Sequence, residues 1–203
     1  MRVLENCEPK QVFYYFEEIC KIPHGSRNTK QISDYLVAFA KEHGFDYVQD
    51  EMNNVIIYKP ATLGYENAPT VILQGHMDMV CEKRPDVQHD FEKDGLNLSV
   101  KDGYVTANGT TLGGDDGIAV AYALALLDST DLPHPALEVL ITVDEEIGLL
   151  GAVGLDCSVL KGKRMINMDS EAEGSLWISC AGGLSAVSHI PVARVDAKEK
   201  NFR

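Results

Sequence analysis

The sequence has no Cys-x-x-Cys pair, no apolar stretch long enough to cross a bilayer, and few cations for its length. Its five cysteines, Cys7, Cys20, Cys81, Cys157 and Cys180, are odd in number and irregularly spaced. That pattern excludes a disulfide framework and a thiolate zinc site, and reduced, mostly buried thiols are the expectation. The longest apolar run, residues 118–127, is too short for the ~30 Å hydrocarbon core of a membrane. The opening MRVLENCEPK holds no apolar signal core, so a soluble, cytoplasmic chain is expected. Only 18 Lys and Arg stand against 31 Asp and Glu, a formal net charge of -13. This balance disfavours nucleic acid and anionic membrane as partners. The carboxylate surplus serves either general solubility or the binding of divalent cations, and composition does not separate the two.

What is present is a sequence able to bury a core, with helix and strand signals in alternation. Val12, Tyr15, Phe16 and Ile19 recur at helical spacing within residues 9–22, ahead of Pro23. A second helix carries Ile32, Tyr35, Leu36 and Phe39 on one stripe, with Ser26 or Asn28 as its cap and Gly44 at its end. Strands are predicted over residues 45–49 and 55–58, joined by a turn at Asn53 and Asn54, and over 71–80. A hairpin over 96–107 turns at Lys101, Asp102 and Gly103. An Ala- and Leu-rich helix at 118–127, apolar nearly all round, calls for burial against a sheet. Strands at 137–143, 165–168, 175–180 and 184–192 follow, with a short helix at 148–155. The alternation predicts an α/β fold, a three-layer sandwich with a mixed, mostly parallel central sheet.

The chemistry lies at the ends of these elements. The run VILQGHMDMV, residues 71–80, ends in His76 and Asp78, which alternation along an extended chain points to one face. The imidazole suits a metal ligand and the carboxylate two positions on suits its orienting partner. Glu145 and Glu146 follow the strand at 137–143, Asp169 follows that at 165–168, and Asp115 and Asp116 open the buried helix after a glycine-rich turn. Each cluster singly has an ordinary explanation, as a solvated acidic turn or as helix N-terminal acids that complement the macrodipole. The placement of every cluster at a strand or helix terminus does not, because sites in open α/β sheets form at the carboxyl ends of strands. One histidine and several carboxylates suggest a two-metal site with an activated water. Of two adjacent glutamates, one can bind metal while its neighbour takes a proton. A phosphate loop at Gly113 and Gly114 is excluded by the lack of GxxxxGK[ST] and by the acids that follow.

Several stretches together resemble a known family: IPHGS at 22–26, HMDMV at 76–80, GTTLGGDDG at 109–117, DEEIG at 144–148, NMDSEAEG at 167–174 and CAGG at 180–183. They are similar to the aminoacyl-histidine dipeptidases, also called Xaa-His or cytosol non-specific dipeptidases, among the dinuclear zinc peptidases related to carboxypeptidase G and peptidase T. The resemblance implies two divalent ions, zinc first and manganese or cobalt as substitutes, and a small peptide as substrate. It implies that His76 and Asp169 bind one ion, Asp115 bridges both and Glu146 binds the second. Glu145 would be the general base and Asp78 the partner of His76. Where the family has GADNG, this chain has GGDDG, placing Asp116 beside the bridge.

The family's further metal-binding histidine, far toward the C-terminus, has no counterpart here: His24, His43, His89, His134 and His189 do not match it. The expectation is therefore a truncated catalytic domain, the N-terminal portion of a longer enzyme. Residues 1–183 would belong to that domain and 184–203 would begin a following lid or dimerisation-type domain, through which a homodimer is allowed. The isolated chain is expected to hydrolyse dipeptides poorly or not at all. Two further readings stay open, a related deacylase or tripeptidase and a non-catalytic metal-binding fragment.

Overall fold

The computed structural model describes residues 2–170, 173–180, 182–183 and 186–193. They fall into two units, Met1–Ser170 and Glu171–Arg203. In the second unit the described residues are exposed and carry no helix or strand. The strand predicted over 175–180 is thus absent, as is the described part, 186–192, of that predicted over 184–192; Leu184 and Ser185 lie outside the described residues. Alternating side chains make a strand only where a neighbouring ladder satisfies the backbone, and none is paired there among the described residues.

The first unit is built on a five-stranded sheet. Its strands are β1 (Asp46–Gln49), β2 (Val55–Lys59), β3 (Val71–His76), β6 (Leu137–Thr142) and β7 (Arg164–Asn167), in the order β1-β2-β6-β3-β7. β1 and β2 pair antiparallel, as do β2 and β6, whereas β3 runs parallel to both β6 and β7. The sheet is therefore mixed. β4 (Leu98–Lys101) and β5 (Tyr104–Ala107) form a separate hairpin, turned at Asp102 and Gly103, both with positive φ.

Strands in the middle of this sheet are largely apolar on both sides because both their faces are covered. Val55, Ile57, Leu73, Val139 and Ile141 face the helical side and join one core with α1 (Lys10–Cys20), α2 (Lys30–Glu42) and α3 (Gly114–Asp128). Ile56, Ile72 and Leu140 alternate to the other side, where Leu155, Val159 and Leu160 cover them from α4 (Leu150–Gly154) and the following 3-10 turn. The helical layers are unequal: three long helices on one face, one short helix and a turn on the other.

The helices follow their stripes. α1 buries Val12, Tyr15, Phe16 and Ile19, and α2 buries Ile32, Leu36 and Phe39. Gly44, with φ of +71°, lets the chain reverse so that its own N–H reaches Lys41 O at 3.2 Å and that of Phe45 reaches Ala40 O at 2.8 Å. The start of α2 differs from expectation. Neither Ser26 nor Asn28 caps it; Thr29 holds the cap position without a side-chain bond, and the Ser26 hydroxyl is engaged elsewhere. α3 carries Ala119, Ala121, Ala123, Leu124 and Leu127 into the core between α1 and β3, which accounts for its lack of a polar face. Its C-terminal carbonyls are met by Lys59, whose ammonium donates to Leu126 O, Leu127 O and Ser129 O at 3.0, 2.9 and 2.6 Å.

This topology singles out one end of the sheet. The chain passes from β3 to β6 by way of α3 on one face, and from β6 to β7 by way of α4 on the other, so the crossovers diverge on either side of β3. The carboxyl end of β3 is where such a sheet opens to a ligand.

Candidate metal centre

β3 ends at His76, and the chain beyond it stays extended through two other partners. Met77 N–H donates to Thr142 O at 2.9 Å, and Met79 N–H to His24 O at 3.1 Å. His76 is fully buried. Its Nδ1 lies 2.9 Å from the Asp78 backbone carbonyl and 3.4 Å from the Asp78 carboxylate. The residue expected to orient the ring thus does so with two oxygens, its carbonyl being the closer. With a proton on Nδ1, the Nε2 lone pair is turned outward.

Nε2 faces a ring of carboxylates. Asp115 Oδ1 is 3.1 Å away, Glu145 Oε2 3.8 Å and Asp169 Oδ2 3.9 Å. Each comes from a different element. Asp115 sits in the first turn of α3, where it and Asp116 depart from helical φ/ψ, and the peptide bond between them is cis. Glu145 and Glu146 follow β6 after Asp144, whose φ is +52° and whose carboxylate accepts the Arg27 N–H at 2.6 Å. Asp169 follows β7, where Met168 N–H still pairs with Gln74 O at 2.9 Å. All six candidates drawn from sequence, His76, Asp78, Asp115, Glu145, Glu146 and Asp169, meet at this one end of the sheet.

Ligand atoms within 4.8 Å of one another form three sets: His76 with Glu145 and Asp169, His76 with Asp115 and Glu146, and Asp115 with Asp116 and Asp169. Both glutamates therefore lie within ligand range of the imidazole. A donor set of one nitrogen and several carboxylate oxygens fits zinc, and also manganese or cobalt. The electrostatics fit a cation as well. Burial, then the negative charges of Asp169, Asp78 and Asp115, raises the Glu145 pKa against the pull of His76. Burial and Asp115 raise that of Glu146 in the same way. For His76 burial opposes the charged form, but the Asp78 hydrogen bond and the charges of Asp116, Asp78 and Asp169 outweigh it and lift the pKa to about 9. Carboxylates that repel one another around one imidazole are what a divalent ion would relieve.

Three supporting residues were not singled out for these roles from sequence. Asp116 is buried, and its Oδ2 accepts the His76 backbone N–H at 3.1 Å. A Cβ on Gly75 would stand 2.6 Å from that oxygen, so only glycine fits ahead of His76. Burial lifts the Asp116 pKa to about 7, opposed by the His76 N–H bond and the charge of the His76 ring and aided by Asp169 and Asp115. Asn54, also buried, accepts the Val143 N–H at 3.0 Å and donates to Gly151 O at 3.0 Å, bracketing the segment that bears the two glutamates. Ser26 donates to Asp78 Oδ2 at 2.8 Å. The motif GGDDG pointed at Asp116 without its partner, and nothing local marks Asn54.

The sequence profile of peptidase family M20/M25/M40 matches residues 72–175, from the second residue of β3 past Asp169 and over just half of the chain. The chain belongs to this family. Among curated relatives of the M20 chain, the cytosol non-specific dipeptidase of Escherichia coli (strain K12) is 43% identical over 194 residues, which is 96% of this chain and 40% of that relative. The crystal structure of aminoacylhistidine dipeptidase from Vibrio alginolyticus superposes with a TM-score of 0.82 at 45% identity, over 84% of this chain and 35% of that one. A tripeptidase from Staphylococcus aureus superposes with a TM-score of 0.67 at 27% identity, covering 80% of this chain and 43% of that one. The chain thus spans about two fifths of the length of the curated dipeptidase it matches.

Proposed function

We propose that this M20 chain carries the metal-binding part of a cytoplasmic dipeptidase acting on Xaa-His substrates such as β-alanyl-histidine. The observation that carries the proposal is the convergence of His76 with Asp115, Glu145, Glu146 and Asp169 at the carboxyl end of β3. The similarity to the E. coli dipeptidase and the Vibrio aminoacylhistidine dipeptidase supports the substrate class. In this reading residues 1–183 belong to the catalytic domain and 184–203 begin the next.

His76 and Asp169 would hold one divalent ion, zinc by preference, Asp115 would bridge to a second and Glu146 would hold that second ion. When bound, the pair supplies Lewis acidity and a water of lowered pKa. Glu145 would act as the base, accepting a proton from the attacking water and returning it to the departing amine. Its environment suits the task, since burial and neighbouring carboxylates raise its pKa above the ordinary carboxylate value. Asp78 holds the His76 ring by Nδ1 and also accepts the Glu145 N–H at 3.0 Å, so one carboxylate sets the bearing of a ligand and of the base.

Among the described residues, His76 is the one imidazole in these ligand sets. The resemblance implies a further histidine for the second ion, and on that reading the 203-residue chain alone is expected to hydrolyse dipeptides poorly. The test is bound zinc per chain together with a panel of β-alanyl-histidine, N-acetyl amino acids and tripeptides. Zinc at the site with preference for β-alanyl-histidine supports the reading. Preference for tripeptides would move it toward the activity named for the Staphylococcus relative. Protein that takes up no zinc would overturn it, and brisk turnover by the 203-residue chain would overturn the expected impairment.

A further inference from the structure

The Asp78 carboxylate is buried to within 1% of complete exclusion from solvent, yet among the described residues no lysine or arginine forms an ion pair with it. An ionised carboxylate in that position requires hydrogen-bond donors to offset its lost hydration. Four are present. Glu145 N–H donates to Oδ1 at 3.0 Å, and His76 Nδ1 stands 3.4 Å from the same oxygen. Oδ2 has the Ser26 hydroxyl at 2.8 Å and the Glu146 N–H at a long 3.4 Å. The bond to Oδ2 that is of full strength by length is the one from Ser26.

Ser26 is held for this purpose. Residues 24–26 lie along the extension of β3: Met79 N–H donates to His24 O at 3.1 Å, Ser26 N–H donates to Met79 O at 3.3 Å, and Gly25 bridges Met79 in parallel. One residue later Arg27, with φ of +68°, turns its N–H to the Asp144 carboxylate at 2.6 Å. A segment 50 residues upstream of His76, and ahead of the region matched by the family profile, is thus stitched to two of the four segments that carry candidate ligands, the end of β3 and the turn after β6.

We infer that Ser26 is a positioning residue of the metal centre: its hydroxyl fixes the Asp78 carboxylate, which in turn orients the His76 ring and the backbone of Glu145 and Glu146. The inference rests on the reading of the site as a metal centre for its effect on binding, but the positioning itself is a property of the metal-free chain. Losing the hydroxyl leaves Oδ2 with one long bond, so the carboxylate rotates and both of its clients loosen. Partners in this position behind a ligand change metal affinity by about 10–100-fold.

The experiment compares Ser26→Ala and Ser26→Thr with the parent chain by two readouts. Amide hydrogen exchange on metal-free protein follows Glu145 and Glu146, with Val139 and Ile141 in β6 as internal references. Zinc affinity is measured by chelator competition. The expected result is faster exchange at Glu145 and Glu146 in Ser26→Ala with β6 unchanged, zinc affinity down about 10-fold or more, and both restored in Ser26→Thr, which keeps the hydroxyl. Parent-like exchange at Glu145 and Glu146 in Ser26→Ala overturns the inference whether or not zinc binds. Equal acceleration at Glu145, Glu146 and β6 also overturns it, since that reports a merely structural serine. A parent chain that binds no zinc overturns the metal-centre reading instead, and the exchange data still decide the role of Ser26.

Discussion

The two ends of β3 and β6 are made on opposite terms. Toward the start of these strands, and across their helical face, Leu73, Val139 and Ile141 pack into a core with Val120, Leu124 and Phe16, and the one buried acid of β6, Glu138, is met by the N–H groups of Lys161 and Gly162. At their carboxyl end His76 and Asp78, with Asp116 from the first turn of α3, are just as deeply buried and have further carboxylates close by. The first region lowers the free energy of the fold by removing apolar area from water, at about 25 cal/mol per Å². The second raises it, as the elevated pKa values of Asp116, Glu145 and Glu146 record. The lesson is one of division: a rigid apolar body carries a repulsive charged end that is ready for a cation. Variants that act on one region and spare the other test whether that division is real.

The largest separation is expected from Glu145→Gln. If Glu145 moves the proton, an active preparation should lose about 10²–10⁴-fold in β-alanyl-histidine hydrolysis, while bound zinc and thermal stability stay near parental values. Loss of zinc in step with activity would instead make Glu145 a ligand, as its place in one set with His76 and Asp169 permits. The converse variant is Leu124→Ala, on the face of α3 that is buried in the core. It should cost about 2–5 kcal/mol in denaturant unfolding and leave zinc affinity unchanged once the protein is folded. A parallel fall in zinc affinity would mean that the core and the charged end are not separable.

The same division governs how much of the molecule was legible in its sequence. The apolar region was, because periodicity reports burial directly: Val12, Tyr15, Phe16 and Ile19 predicted the buried stripe of α1, and the all-round apolar helix predicted burial of α3. The candidate site residues could be singled out for a different reason, as each polar group stands at the end or the start of an apolar run. Their supports could not. Ser26 looks like a helix cap because a hydroxyl ahead of an amphipathic run is the usual sign of one, and only the fold shows it turned onto Asp78 across 52 residues. Asn54 looks like a turn residue, yet its amide spans to Val143 and Gly151. Pairing over such separations is set by topology, which local pattern does not encode. The strand predicted at 175–180 and the described part, 186–192, of that predicted at 184–192 failed on the same ground, since alternation shows which side chains share a face and not whether a partner strand is there.

Asp116→Asn sharpens the comparison through pH. The carboxyl is held near pKa 7 in the folded chain against an ordinary value of 3.8, chiefly by burial. A carboxylate whose folded pKa is raised destabilises the fold once both states ionise differently: the cost is absent below about pH 4, grows between about 4 and 7, and is complete above the folded pKa. Asparagine keeps the acceptor for the His76 N–H and removes the charge. Metal-free Asp116→Asn should therefore be more stable than the parent by about 1–3 kcal/mol at pH 8, with the advantage vanishing toward pH 4. Chemical denaturation at three pH values measures it, and an advantage that is flat with pH would contradict the burial of an ionisable charge as its cause.

The smallest effect is expected at the other end of the sheet. Lys59 pairs in register with Leu137, at the start of β6 and so away from His76, and its ammonium closes the last turn of α3 through three carbonyls. Burial lowers its pKa, yet the three acceptors and the negative end of the helix dipole keep the cation in place. Lys59→Met retains the apolar stem and deletes the donors, and because those carbonyls lie close to solvent, water replaces part of what is lost. The expected cost is about 1–2 kcal/mol in unfolding free energy, with no change in zinc affinity or in exchange at Glu145 and Glu146. Any such change would show that the position of α3, and with it Asp115 in its first turn, is set from its far end. The rigid body would then be part of the metal centre and not simply its support.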